Sequence, residues 1–201
     1  MIDEGYIKFS INQVLGETPM HGDLIVLNEA RTELHKLGFI GITKDGIGFG
    51  NVSIRDKKNE FIITGSATGK DEVLSYEEYT KVTDFNLKNN SVRSEGPVKA
   101  SSESMTHGAI YKVNSKVNCV IHIHSRVLFD IMRKNNWAET PESAKFGTPE
   151  LAFAISELVK ESGENLGVFV TAGHDEGIIA YGKSVDETLG LILNLVKEFG
   201  E

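Results

Sequence analysis

Residues 119–125 read CVIHIHS, an apolar segment that carries two imidazoles separated by a single isoleucine. Side chains two apart on a strand point to the same face. His122 and His124 are therefore expected to project together, with Ile121 and Ile123 on the opposite face, turned into a core. Two adjacent imidazoles pointing the same way can take two positions of a tetrahedral metal at about 2.0–2.1 Å per bond.

Working outward from this strand, helical and strand patterns are interspersed. Upstream, SESMTHGAIYKV (102–113) reads as a helix. Before it, YTKVTDFNL (79–87) and SVRSEG (91–96) read as weaker strands, and EFIITG (60–65) as a strand ending in the loop SATGKDEVL (66–74). Ser75 and Glu78 have the spacing of a capping box that opens a short helix. The glycine-rich KDGIGFGNVSIR (44–55) leads into a strand. The segment DLIVLNEARTELHKLGFIG (23–41) places Leu24, Leu27, Leu34 and Leu37 at helical spacing and stops at Gly38. Downstream, a helix is expected to about Lys134, then a loop over 135–147. Thr148 caps and Pro149 opens the helix PELAFAISELVKES (149–162). The strands GVFVTAG (167–173) and GIIAYG (177–182) follow, and Ser184 and Glu187 cap a last helix. This alternation predicts an α/β or α+β class with a mixed sheet.

The 201 residues suit one domain, 1–201, and there is no low-complexity segment, repeat or linker. A hydrophobic share of 40% with 25% charged residues is ordinary for a soluble globular protein. The acidic N-terminus MIDEGYIKF has no apolar leader core, and no apolar run approaches the roughly 20 residues of a membrane helix. The single cysteine, Cys119, excludes an internal disulfide and points to a reducing cytoplasmic location. With a net charge of −8 and the signs interspersed, neither nucleic acid nor an anionic membrane is expected as a partner.

A zinc site needs a third ligand, and the chain has six histidines. His21 and His35 belong to the first helix or its approach and read as solvent-facing. His107 lies inside a helix, suited to supporting a site from behind. His174 sits in a turn between two apolar strands, where sites are often built, and is the best third ligand. Other His-x-His scaffolds fail on spacing: Leu128 and Phe129 stand where a cupin needs glutamate, and Arg126 and Val127 break a metallo-β-lactamase pattern. Three histidines leave a fourth position for water or substrate, which is a catalytic rather than a structural arrangement.

Other polar clusters flank this triplet. GSATGKD (65–71) is not a P-loop, because three residues separate its glycines and Asp71 follows the lysine. Its backbone N–H groups, with Thr64, Ser66 and Thr68, can form an anion nest. GFGNVS (48–53) alone reads as a tight turn. Ser101, Ser102 and Glu103 stand at a helix N-terminus, where serines cap, bind an anion, or do both. Glu103 beside a metal is a candidate general base.

In this order, the blocks GNVS (50–53), FIITGS (61–66), SSESMTHGAIY (101–111), VIHIHS (120–125), FGTPELA (146–152), GH (173–174) and YGKSVDETLGLIL (181–193) resemble the class II aldolase/adducin head domain family. The resemblance, which runs from about residue 24 to the end, implies a three-layer α/β/α fold with a largely antiparallel central sheet. It implies a homotetramer with its sites near subunit contacts, and one Zn2+ or another divalent transition metal per subunit, held by His122, His124 and His174. Glu103 corresponds to the acid/base glutamate. Asn51, Ser66, Ser101 and Ser102 fall where family members bind the substrate phosphate. The implied activity is that of a fuculose-phosphate aldolase-like lyase, which forms or cleaves a small, phosphorylated sugar or related hydroxy-carbonyl compound through a metal-stabilised enediolate. The alternatives are a same-fold dehydratase, epimerase or decarboxylase, or a non-catalytic adducin-like interaction module. Ala67 stands where many members have glycine, and the loop 135–147 holds Trp137 but no tyrosine to protonate the aldehyde oxygen.

Overall fold

The computed structural model describes residues 6–200. Residues 1–5 of the N-terminal stretch read as leaderless, and both ends of the expected 1–201 unit, lie outside the described residues.

The central element is an eight-stranded sheet ordered β1-β7-β6-β5-β4-β8-β10-β9. Its strands are β1 (Ser10–Leu15), β4 (Asn51–Lys57), β5 (Glu60–Thr64), β6 (Tyr79–Asn86), β7 (Ser91–Gly96), β8 (Cys119–His124), β9 (Gly167–Val170) and β10 (Gly177–Gly182). Every neighbouring pair is antiparallel except the edge pair β1 and β7. A two-stranded ribbon, β2 (Gly41–Ile42) and β3 (Gly48–Phe49), forms in the glycine-rich approach to β4.

Helices cover both faces. One hydrophobic cluster joins α1 (Leu24–Lys36), α3 (Arg126–Lys134) and α5 (Val185–Phe199) to strand residues that include Ile54, Ile121 and Ile123. The other joins α2 (Ser104–Val113) and α4 (Pro149–Ser162) to Ile63, Val120 and Ile179. The expected three-layer α/β/α architecture with a largely antiparallel sheet is thus what the chain adopts. Strand β8 is an interior strand, sixth in the order, and is buried along its whole length. Each of its isoleucines contributes about 1.5–3 kcal/mol by leaving water.

The end signals behave as read. Leu151 N donates to Thr148 Oγ1 at 3.3 Å, Glu187 N to Ser184 Oγ at 3.1 Å, and Ser75 N to Glu78 Oε2 at 2.8 Å. Gly38 takes φ +76° just past α1, the left-handed conformation that closes a helix. Two elements escaped the sequence reading: the β2–β3 ribbon, which it took as a plain turn, and β1. Strand β1 is a largely exposed edge whose SINQVL carries too little apolar contrast to stand out.

Candidate metal and anion site

Strand β8 delivers His122 and His124 to the α2/α4 face. The antiparallel register of β10 sets Ile179 opposite His122 and Gly177 opposite His124. His174 reaches the same place from the turn just before β10. That turn closes by Thr171 N donating to Gly177 O at 2.9 Å, His174 N to Thr171 O at 2.8 Å and Gly177 N to His174 O at 3.0 Å. A Cβ on Gly177 would meet Thr171 Oγ1 at 2.3 Å and His122 Cε1 at 3.2 Å. Only glycine lets this turn close against the His122 ring. Arg126, at the start of α3, braces the turn from outside through Asp175 Oδ2 at 2.5 Å and Glu176 Oε1 at 3.1 Å.

The three rings converge. Their centroids lie 4.9 Å (His122–His124), 5.1 Å (His122–His174) and 4.8 Å (His124–His174) apart. One nitrogen from each lies within 4.8 Å of the others, and all three residues are buried. The Nε2 atoms of His122 and His124 stand 3.1 Å apart. A tetrahedral zinc with bonds of 2.0–2.1 Å spans nitrogen pairs about 3.3–3.4 Å apart, so these donors fit a divalent ion of that size. Burial, reinforced by His124 and His174, holds the His122 imidazole well below its ordinary pKa and so in the neutral form that ligates metals. Phe49 packs on His124 at 5.3 Å and Phe146 on His174 at 4.7 Å between centroids, fixing both rings from outside.

The remaining histidines fall elsewhere. His21 and His35 are only partly buried, on the approach to α1 and within it. His107 is fully buried in α2, where its Nδ1 lies 2.7 Å from Ser53 Oγ, itself 2.8 Å from Tyr111 Oη. Burial lowers the His107 pKa to about 3, so it stays neutral. It stands outside the triplet.

Glu103 lies immediately before α2 and is 3% exposed, with Oε1 3.4 Å from His174 Nδ1. A carboxylate is thereby placed against the imidazole cluster in a pocket that water barely reaches.

Next to the cluster is a cavity of about 200 Å³ lined by Asn51, Ser66, Ser101 and Ser102, with Gly48, Thr68 and Gly69. Three separate segments meet there. Asn51 opens β4 opposite His122 in register. The bridge between Gly65 and Ala100, with Ser66 N donating to Lys99 O at 2.8 Å, sets the end of β5 beside the approach to α2. Ser101 Oγ accepts from Glu103 N at 3.2 Å, so it braces the helix start while lining the cavity. Asn51 Oδ1 is buried without a hydrogen-bond partner among the described residues. Of the hydroxyls expected in the nest, Thr68 Oγ1 donates to Gly65 O at 3.0 Å, and Thr64 Oγ1 accepts from Val52 N at 3.3 Å and does not line the cavity. The β2–β3 ribbon also walls the cavity through Gly46, Ile47 and Gly48, a role that glycine density alone did not signal.

Ala67 adopts φ +63°, the left-handed region where a Cβ costs about 1–2 kcal/mol. Glycine relieves that strain but gains freedom in the unfolded chain, which returns about 0.4–1 kcal/mol. Ala67→Gly is therefore expected to raise the melting temperature by a few degrees at most. A clear fall in a thermal melt would show that the alanine methyl packs usefully.

The family model for the class II aldolase and adducin N-terminal domain matches residues 34–199. Among solved structures, an L-fuculose 1-phosphate aldolase is 20% identical at a TM-score of 0.58, over 92% of each chain. A sugar-phosphate aldolase from Thermotoga maritima is 17% identical at 0.58, over 86% of this chain and 89% of its own. YgbL from Klebsiella pneumoniae, for which aldolase, epimerase and decarboxylase remain open alternatives, is 17% identical at 0.60, over 87% and 83%. At such identities these structures establish a shared fold.

Proposed function

Because this chain belongs to the class II aldolase and adducin N-terminal domain family, we propose that it is a zinc-dependent aldolase acting on a small phosphorylated sugar. The observation that carries this reading is the convergence of three buried imidazoles from distant segments, beside a buried glutamate and a polar cavity. A non-catalytic interaction module has no use for three buried imidazoles converging in one place.

His122, His124 and His174 would hold the cation; a donor set of three neutral nitrogens suits zinc and also other divalent transition metals. The bound ion supplies Lewis-acid charge that offsets the negative charge developing on substrate oxygen. Glu103 moves the proton at the donor carbon, taking it in the condensation direction and returning it after cleavage. Asn51, Ser66, Ser101 and Ser102 bind the phosphate, and that remote grip holds the reacting carbons in line. The buried surroundings keep water from intercepting the carbanion. The single buried cysteine, Cys119, supports a reducing cytoplasmic setting. The reading takes residues 1–201 as one domain and the assembly as a homotetramer.

The comparison with YgbL favours one second reading, in which the same metal and fold carry out epimerisation or decarboxylation. Incubating zinc-loaded protein with a panel of ketose phosphates separates the two. Release of dihydroxyacetone phosphate and an aldehyde is expected. Epimer formation from the ketose phosphates, or carbon dioxide release from sugar-acid phosphates added to the panel, without aldehyde, would establish the second reading, and protein purified without stoichiometric metal would overturn both.

A further inference from the structure

The loop between β5 and β6 borders the cavity through Ser66, Ala67, Thr68 and Gly69, yet α1 on the opposite helical layer sets its shape. Arg31 is completely buried. Its Nη1 donates to Asp71 O and, at 2.7 Å, to Glu72 O, while Nη2 donates to Thr68 O at 2.9 Å. One turn earlier, Asn28 Nδ2 donates to Leu74 O at 2.8 Å, and Asn28 Oδ1 accepts from Tyr79 Oη at 2.9 Å. A buried guanidinium is costly unless its donors are met; Nε has no partner among the described residues, and the acceptors that the two Nη atoms find are all carbonyls of a single loop. A trans peptide points its N–H opposite to its C=O. Drawing Thr68 O toward Arg31 therefore turns the Gly69 N–H the other way. Gly69 is also packed so tightly that a Cβ would stand 2.1 Å from Gly41 O. The loop is thus held between α1 on one side and the β2–β3 ribbon on the other, with Ala67 kept at positive φ.

We propose that Arg31 is the positioning residue of the anion-binding loop, fixing the peptides at 68–72 so that their neighbours present donors to a phosphate. The inference rests on the reading of the cavity as a phosphate site. Arg31 does not touch the ligand; it acts through the carbonyls of Thr68, Asp71 and Glu72. A planar fork that serves several acceptors is not reproduced by an ammonium or an amide.

The test is the affinity of the metal-loaded protein for inorganic phosphate, measured by calorimetry well below the melting temperature for wild type, Arg31→Lys and Arg31→Gln. Losing even one hydrogen bond to a charged ligand costs about tenfold or more, so a loss of that size is expected in Arg31→Gln, with partial recovery in Arg31→Lys and zinc content unchanged in both. A role confined to stability would lower the melting temperature and leave phosphate affinity alone. Both variants binding phosphate within about twofold of wild type would overturn the assignment of Arg31. If Arg31→Gln does not fold, Arg31→Lys decides, with the same twofold criterion. Wild-type protein that binds no phosphate would overturn the phosphate reading itself, and the role of Arg31 with it.

Discussion

Purified His124→Ala is expected to contain no stoichiometric zinc, and the wild-type protein is expected to retain one ion per chain. His124 is the hinge of the cluster: its Nε2 is 3.1 Å from that of His122, and its ring is 4.8 Å from the ring of His174. Alanine leaves two imidazoles, which seldom hold a labile divalent ion against a buffer or chelator. The substitution removes a ring packed against Phe49 rather than part of either apolar cluster, so the fold should survive it. Circular dichroism that matches wild type, with metal absent by emission spectroscopy, is the expected pair of results. His35→Ala, on the partly exposed side of α1, serves as the control and should keep its zinc. Full occupancy in His124→Ala would remove that residue from the ligand set and reopen the identity of the third donor.

What the sequence could and could not disclose follows from the range of each interaction. The alternation in CVIHIHS is local, so the shared direction of His122 and His124 was legible without knowing what lies around them. His174 was legible because the apolar strands on either side of its turn mark a sheet edge, and β10 then pairs with β8 in the register that brings the turn alongside. The caps at Thr148 and Ser184 were equally local. The cavity is different: Asn51, Ser66 and Ser101 become neighbours only through strand pairing and the Gly65–Ala100 bridge, and the family resemblance, not spacing, named them together. Arg31 was invisible for a related reason. In NEARTELHK a lone arginine on a helix reads as a solvated charge, and nothing nearby shows that three carbonyls from 68–72 will close over it. Local chemistry was readable, and the groups that hold it in shape from other layers were not.

Glu103→Gln should keep its metal and its fold yet lose proton transfer at carbon. The change replaces one carboxylate oxygen by an amide of nearly the same size, at a position 3% exposed and 3.4 Å from His174 Nδ1. The start of α2 is little disturbed, because it is braced by backbone and serine groups: Ser104 N donates to Ser101 O at 3.0 Å and Ser104 Oγ to the same oxygen at 2.7 Å. The amide cannot accept a proton, so the general-base contribution, typically 10²–10⁴-fold, disappears. The direct measurement is the loss of the C–H signal of dihydroxyacetone phosphate in deuterium oxide, followed by proton NMR with zinc-loaded protein. Wild type should exchange one hydrogen stereospecifically, and Glu103→Gln should slow that exchange by about two to four orders of magnitude. Phosphate affinity should be retained, because the proposed anion contacts are Asn51, Ser66, Ser101 and Ser102. Exchange at the wild-type rate would move the base elsewhere and leave Glu103 with the smaller task of orienting His174, in which case the variant's zinc affinity, not its exchange rate, would be the quantity that falls.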